Sequence, residues 1–321
     1  MYPFRNILVV IDSAESEQPV LNRAVDYALK HHSQLTIVDA VPEFRWAQKL
    51  VLSGEAEHLP ELLAREKSER LKKLVSPIRR QGLKVKHRIL TGRLSIEITK
   101  QVLRNKHDLV MKDAKGRFSR QPGFLGTTAK GLLRNCPCTV WLFKPEHHGA
   151  FQHALAAVDA WPDDSDHAEL NFRILQLAIG YCTDEAISLD VASASGIEGD
   201  AYLGNYALTD EYRSMVASTR AESQENLNLL ISRFKSMPTD NVHLLPGEAS
   251  VEIPTFLVRN HVDLLVLGTV ARRGVSGFFL GNTAEVILSK VECSVLAVKP
   301  AGFVSPVKTQ SRKRISAVLA T

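Results

Sequence analysis

The chain has 321 residues, of which 45% are hydrophobic, so it can bury a core of substantial size. Its 40 Lys and Arg residues against 35 Asp and Glu residues leave a net charge of only +5, which makes nucleic acid an unexpected partner. Four cysteines do not form a disulfide framework in a chain of this length, and no apolar run approaches the roughly 18 residues of a membrane span. The sequence MYPFRNILVVID lacks the pattern of a secretory signal, so a cytoplasmic protein is expected.

The chain contains an internal duplication. A gapless shift of 155 positions places Asp108 on Asp263, and Gly126 on Gly281. A duplicated unit of this size is typical of two tandem domains. The predicted organisation is a first domain over 1–145, a linker over 146–152, a second domain over 153–300 and a basic, flexible tail over 301–321.

In chain order, the first half alternates strands with helices. Apolar runs of strand length lie at 7–11, 35–38, 109–111 and 140–143, and alternating residues predict a further strand at 85–89. Helical spacing follows the first strand, a long charged helix is predicted over 60–80, and a third helix is expected to be capped by Ser95. The segment 43–58 is ambiguous.

The second half repeats this order. Strands are predicted at 154–158, 264–267 and 295–298, and a helix begins near Ser250. About eight additional residues are assigned to the loop at 193–210. The pattern predicts an α/β protein with two tandem doubly wound, Rossmann-like domains, each with a five-stranded parallel sheet. We expect the two domains to pack as an internal pseudo-dimer through their fifth strands.

Glycines follow the fourth strand of each half rather than the first. In the stretch 263–282, Gly268 ends an apolar run, a loop carries Arg272, and Gly281 precedes a helical pattern. A strand, a glycine-bearing loop and a helix N-terminus make a natural site for an anion. Neither G-x-G-x-x-G after the first strand nor a P-loop motif is present, so a dehydrogenase and an ordinary P-loop enzyme are excluded.

This arrangement resembles the universal stress protein family. The shared features are an Asp ending the first strand, glycines in the order G-x-x-G, nine residues and G-[S/T] after the fourth strand, and a Cys before the fifth strand. The resemblance covers both halves, about 3–145 and 150–300. It implies an adenine nucleotide alpha hydrolase-like fold, a role in stress resistance, and ATP or another adenine nucleotide as the ligand of those members that bind one.

The resemblance also implies which positions would contact a ligand. In the second half they are Asp159, Gly268, Ala271, Arg272, Gly281, Asn282 and Thr283. In the first half they are Asp12, Gly116, Arg117, Gly126 and Thr127. Both sets depart from the family pattern, because Ala271 replaces the second glycine and Asp113 replaces the first glycine of the other half. A carboxylate there would repel a phosphate unless Lys112 or Lys115 masks it, so the first site is expected to be the weaker one.

Several alternatives stay open at this point. The glycines serve either a phosphate or only tight turns, and Asp12 and Asp159 either contact a ligand or cap loop N–H groups. Cys138 and Cys293 are interpreted as packed residues, no metal ligands are predicted, and no catalytic residues can be assigned from spacing. The expected function is therefore binding of a small ligand or partner, a homodimer is left open, and slow nucleotide hydrolysis through the second domain is the alternative.

Overall fold

The fold comes from a computed structural model, which describes residues 2–41, 59–115, 125–144, 150–160, 165–196, 209–234, 239–269 and 280–309. The first half contains β1 (Asn6–Val10), α1 (Pro19–His31), β2 (Gln34–Val41), α2 (Leu59–Arg80), β3 (Val85–Thr91), α3 (Leu94–Asn105), β4 (Leu109–Asp113), α4 (Thr127–Asn135) and β5 (Thr139–Phe143). The second half contains β6 (His153–Ala157), α5 (Ser165–Glu185), β7 (Ser188–Ala194), α6 (Asp210–Ser232), β8 (Val242–Leu245), α7 (Ala249–Arg259), β9 (Leu264–Gly268), α8 (Asn282–Lys290) and β10 (Ser294–Val298).

The ten strands form one sheet in the order β3-β2-β1-β4-β5-β10-β9-β6-β7-β8. Within each half every pairing is parallel, and the two halves meet where β5 pairs with β10 in the antiparallel direction. In that junction Trp141 lies opposite Leu296, and Leu142 lies opposite Val295. The predicted pair of doubly wound domains, joined through their fifth strands, is confirmed.

Helices cover both faces of the sheet, which is why the strands are apolar on both sides. Side chains such as Ile7 and Val9 of β1 join the core beneath α1, α2, α5 and α6. The alternate residues Leu8 and Val10 join the core beneath α3, α4, α7 and α8. None of the described helices is long and apolar enough to cross a membrane.

The predicted cap of α3 is wrong. The helix begins after Arg93, whose side chain makes no capping hydrogen bond, and Ser95 lies inside the helix and is buried. The reason is tertiary packing, because α4 crosses closely at Gly131, where an added Cβ would come within 2.6 Å of the Ser95 Cβ. The ambiguous segment 43–58 and most of the long loop at 193–210 lie outside the described residues. The assignment of about eight additional residues to that loop is wrong, because α5 has 21 residues where α1 has 13 and the extra length therefore precedes β7.

The first residues of the predicted flexible tail pack against the first half. Phe303 is buried, and the Ser305 hydroxyl donates a 2.7 Å hydrogen bond to the carbonyl of Asn135 at the end of α4. The tail prediction therefore fails for 301–309, because an aromatic side chain and a hydroxyl find partners there. Residues 310–321 lie outside the described part of the chain.

Candidate functional site

Ligands of doubly wound sheets bind beyond the carboxyl ends of the strands, where neighbouring connections leave toward opposite faces. In the second half this point lies between β6 and β9, which are paired with Ala157 opposite Leu267. The structure therefore brings Asp159 and Gly268 to the same edge of the sheet. The equivalent point of the first half lies between β1 and β4, next to Asp12.

The N-terminus of α8 faces this edge in the second half. Gly281 occupies the N-cap with φ −60° and ψ 140°, and no side chain caps the helix. The backbone N–H groups of the first turn are thus available to an anion, and the helix dipole favours one. Asn282 and Thr283, both predicted site residues, begin the helix with exposed side chains.

A buried hydroxyl without a partner lies beside that helix start. Thr269 follows β9, is fully buried, and accepts a 3.4 Å hydrogen bond from the Gly281 N–H through its main-chain carbonyl. Its side-chain Oγ1 has no hydrogen-bond partner within the described ranges. Buried polar groups are nearly always paired, so this hydroxyl marks an incomplete polar site. The first half has Ala114 in the equivalent position.

The strand-end aspartate of the second half, Asp159, has different main-chain neighbours from those of Asp12. Its carboxylate is exposed, and its main chain is held by Asn171 of α5, which accepts a 3.0 Å hydrogen bond from the Asp159 N–H. The next residue, Ala160, donates its N–H to the buried Ser193 hydroxyl at 3.0 Å. Ser193 of β7 thus stands where β2 of the first half carries the buried carboxylate of Asp39.

The first half holds a buried ion cluster in the same place. Asp39, which is 2% exposed, accepts hydrogen bonds from the Ser13 N–H and from the Lys67 ammonium, the latter at 2.8 Å to Oδ1. The same ammonium reaches Asp12 Oδ1 at 3.0 Å. Burial opposes the charge of Lys67, but the hydrogen bonds to Asp39 and Asp12 outweigh it and raise the pKa of the lysine. A cation from α2 thus lies against the strand-end aspartate, where a ligand would have to bind.

Asp12 has a local role as well. Its Oδ1 accepts a 3.1 Å hydrogen bond from the Ala14 N–H, as the capping interpretation of this residue expects. The lysine contact and the capping contact together hold the carboxylate in place. Contact between Asp12 and a ligand stays a prediction.

The remaining predicted residues of the first half are placed as follows. Gly126 is the N-cap of α4 with φ −73°, and Thr127 begins the helix with an exposed side chain. Lys112, one of the two lysines considered as a mask for Asp113, donates to the Asp113 main-chain carbonyl at 2.7 Å; burial lowers the pKa of this lysine, and the charge of Asp113 opposes the shift. Gly116, Arg117, Ala271 and Arg272 lie outside the described residues.

Gly268 has a packing role that needs no ligand. A Cβ added there would lie 2.7 Å from Leu170 Cδ2 of α5 and 3.4 Å from Ile174 Cδ1. Its φ is not in the left-handed region, so glycine is required by the close approach of α5 and not by the backbone conformation. This finding supports the interpretation that Gly268 serves the packing of its own domain.

The sequence interpretation missed Lys67, Asp39, Ser193 and Thr269. The acidic position had no direct signal in the sequence, because a gapless alignment on the first strands places Ala186 opposite Asp39. The match of Asp39 with Ser193 follows from the strand pairing, in which Val38 and Ala192 accept equivalent main-chain hydrogen bonds. The lysine carried no signal either, because it belongs to a charged helix whose other basic side chains are exposed.

Among the described residues one group of side chains could hold a metal ion. It consists of His31 of α1 with Asp184 and Glu185 of α5. The ammonium of Lys30 already lies 3.0 Å from Asp184 and 2.8 Å from Glu185, so this group is an ion pair between the two halves.

Two doubly wound domains in tandem, each with an uncapped helix start at the switch point of its sheet, define a two-domain α/β protein of the kind that binds anions at helix N-termini. The universal stress protein family matches residues 3–144 and 151–299 of the chain. The chain therefore belongs to the universal stress protein family, as the glycine pattern had indicated.

Relatives share the two-domain organisation over the full length. The chain is 25% identical to Universal stress protein E of Escherichia coli over 319 residues, which cover 96% of this chain and 98% of the relative. It is also 25% identical to the Universal stress protein E homolog of Haemophilus influenzae, with 92% and 98% coverage.

Solved structures agree with this organisation. A functionally unknown protein from Pseudomonas aeruginosa superposes with a TM-score of 0.71 at 25% identity and covers 93% of each chain. A universal stress protein from Archaeoglobus fulgidus superposes with a TM-score of 0.63 at 16% identity, with coverage of 93% of this chain and 99% of that chain, which shows the shared fold.

Proposed function

We propose that the protein is a cytoplasmic stress-resistance factor that acts by binding a small ligand, an adenine nucleotide, in its second domain. The observation that carries this proposal is the asymmetry between the two switch points. Lys67 bridges Asp12 and Asp39 in the first domain, whereas Ser193 replaces the buried carboxylate in the second. Family membership supports the stress role, and the geometry supports the choice of domain.

The residues of the second domain fit the phosphates of such a ligand. The first turn of α8 offers N–H groups without a side-chain cap, and Thr269 adds a buried hydroxyl that needs a partner. Asp159 presents an exposed carboxylate at the end of the neighbouring strand, where it can accept hydrogen bonds from the sugar or base. The first domain has the same helix start, but there Lys67 bridges the aspartate to a buried carboxylate, which Ser193 replaces in the second domain.

Titration calorimetry of the full chain with ATP tests the proposal through a matched pair of variants. Gly281→Ala places a Cβ at the start of α8, and its φ of −60° is open to any residue, so the backbone need not change. We expect it to weaken binding by about tenfold or more, which corresponds to about 1.4 kcal/mol. Gly126→Ala makes the same change at the start of α4, where φ is −73°, and should leave binding unchanged.

The stoichiometry and the variants together decide the outcome. One ATP per chain with a loss only in Gly281→Ala supports the proposal. Equal losses in both variants, a larger loss in Gly126→Ala, or no binding of ATP by the unmodified chain contradicts it. Phosphate release measured on the same samples separates simple binding from slow hydrolysis.

A further inference from the structure

Two cysteines lie side by side at the end of α4. Cys136 is the C-cap of this helix, with φ −75° and ψ 129°, and Cys138 follows Pro137 and precedes β5. Their Sγ atoms are 3.5 Å apart, and both thiols are free. Cys136 is fully buried, whereas Cys138 is partly exposed as a residue.

A buried lysine from the other domain reaches the last turn of α4, which ends at Cys136. Lys299 follows β10, is 3% exposed, donates to the Leu133 carbonyl of α4, and lies 4.6 Å from the ring centroid of Phe303. Within the part of the chain that the structure describes it has no carboxylate partner. A buried ammonium is unfavourable without an opposite charge, and the two thiols are the neighbouring groups that can supply one.

The pKa shifts of Lys299 and Cys136 agree with an ammonium that lies near a thiolate. Burial lowers the pKa of Lys299 to about 8, while the nearby Cys136 and Cys138 oppose this shift. Burial also acts to raise the pKa of Cys136, but the hydrogen bond from Cys138 and the charge of Lys299 outweigh it, so the pKa is lowered. By contrast, burial raises the pKa of Cys293 to about 12.

We propose that Cys136 and Cys138 form a dithiol that a hydroperoxide oxidises to an intramolecular disulfide, with Lys299 stabilising the thiolate. Cys138 donates its proton across the 3.5 Å contact, so the negative charge resides on Cys136. That thiolate attacks one oxygen of hydrogen peroxide and breaks the O–O bond. The oxygen that leaves takes up a proton and departs as water, and Cys136 becomes a sulfenic acid.

The second step closes the disulfide. The sulfur of Cys138 attacks the sulfur of the sulfenic acid, the S–S bond forms, and the hydroxide that leaves combines with the thiol proton as a second water. Two thiols thus lose two electrons and hydrogen peroxide becomes two molecules of water. The sulfurs must approach from 3.5 Å to about 2.05 Å, a movement that side-chain rotation across Pro137 can supply.

The duplication supplies an internal control. Cys293 of the second half and Lys144 of the first half are the repeat equivalents of Cys138 and Lys299, but Val291 stands where the first half has Cys136. Cys293 therefore has no neighbouring thiol in the equivalent position. Only the first half has the two sulfurs that the reaction needs.

Mass spectrometry of the full chain tests the proposal. The reduced protein is exposed to hydrogen peroxide at equal concentration, unfolded, alkylated and digested with trypsin. We expect the peptide that begins at Asn135 to lose two hydrogen atoms in mass and to resist alkylation, while Cys182 and Cys293 remain fully alkylated. Recovery of all four cysteines as alkylated thiols, or equal oxidation of Cys293, would overturn the proposal.

Variants separate the roles of the sulfurs and the lysine. Cys138→Ser should stop at a sulfenic acid on Cys136 that a dimedone probe traps, and Lys299→Met should slow oxidation by at least about tenfold because the thiolate loses its cation. Lys144→Met, the matched change in the other half, should leave the rate unchanged. Equal rates in the two lysine variants would contradict the role of Lys299. If Lys299→Met does not fold, the mass of the unmodified chain and the dimedone trap still decide whether the dithiol reacts.

Discussion

The lysine that bridges two aspartates in the first domain makes a testable contribution to stability. In Lys67→Met the buried Asp39 would lose its cation, and breaking a buried ion pair costs about 3–5 kcal/mol. Because the Lys67 and Asp12 side chains are 18% and 33% exposed, we expect a smaller loss of about 2–3 kcal/mol in the free energy of unfolding near neutral pH. Urea denaturation followed by circular dichroism measures it.

The second half indicates how this loss can be repaired. Ser193 occupies the place of Asp39 there and accepts a hydrogen bond from the neighbouring N–H. Adding Asp39→Ser to Lys67→Met should therefore recover most of the lost stability, since no unpaired charge remains. A double variant that is as unstable as the single one would show that the cluster is not held by charge pairing.

A buried histidine makes the first domain sensitive to acid. Burial lowers the pKa of His107 to about 4, against its hydrogen bond to the Asn6 carbonyl, and Lys86 and Arg88 add to the shift. Between pH 6.5 and 4 the unfolded chain binds more protons at this residue than the folded chain, so stability falls as the pH falls. The histidine can account for up to about 3 kcal/mol of this loss.

The variant His107→Val removes this titration without a new buried polar group. The repeat-equivalent residue is Val262, which is also buried, so a valine is compatible with this position of the fold. We expect the unfolding free energy of the variant to change less between pH 6.5 and 4 than that of the unmodified chain. Parallel urea titrations at both pH values measure the difference, and identical pH slopes would contradict this account.

At the scale of elements, the contact between β9 and α5 depends on Gly268. In Gly268→Ala the new Cβ would approach Leu170 Cδ2 to 2.7 Å, so the leucine or the helix must shift. Overpacking of a core typically costs about 1–3 kcal/mol, and we expect a destabilisation in this range. The effect should be smaller in a Leu170→Ala background, and a double-mutant cycle by urea denaturation measures the coupling.

This cycle also separates packing from ligand contact. If Gly268 serves packing, Gly268→Ala lowers the free energy of unfolding by an amount that depends on Leu170. ATP binding then decreases only as far as the folded fraction of the protein decreases. Two results together would instead show that Gly268 contacts the ligand. The effects of Gly268→Ala and Leu170→Ala on stability would be additive, and Gly268→Ala would lose ATP binding while remaining fully stable.

The strands and helices were predictable from the sequence, but the contacts that individual side chains make within them were not. Continuous apolar runs such as 7–11 and 109–111 predicted strands because a parallel strand is buried on both faces. The cap prediction at Ser95 was wrong because the preference of serine for a helix N-cap is a local signal. In the fold this serine is buried by α4, which comes from a later part of the chain. Lys67 and Asp39 meet only through the fold, so no spacing in the sequence could reveal the ion cluster.

At the scale of the whole molecule, the antiparallel junction brings the switch point of each domain to the opposite edge of the sheet. The end of β10 therefore meets the beginning of β5, which is how Lys299 reaches the cysteines of the first domain. Ion pairs on the two faces add to the junction, with Lys30 bound to Asp184 and Arg134 bound to Glu285. The two domains thus share one sheet, the apolar core on each of its faces, and the buried ammonium of Lys299.

This sharing predicts that the two halves remain associated after the chain is cut. Without its partner, each half would expose an edge strand with unpaired N–H and C=O groups, and such edges readily pair with another chain. Trp141 and Leu296, which face each other across the junction and are fully buried, would also become exposed. A protease site inserted in the predicted linker at 146–152 should therefore allow complete cleavage without any change in the sedimentation coefficient.

The separated halves provide the complementary measurement. After purification under denaturing conditions and refolding alone, each half should self-associate or aggregate, since its fifth strand can pair only with a second copy of itself. Mixing the two halves should restore a species of the original size, because β5 and β10 are complementary in register and in side chains. Analytical ultracentrifugation distinguishes these states. Halves that stay monomeric at high concentration, or that separate on cleavage of the linker, would show that the junction is held by the covalent connection and not by the shared sheet.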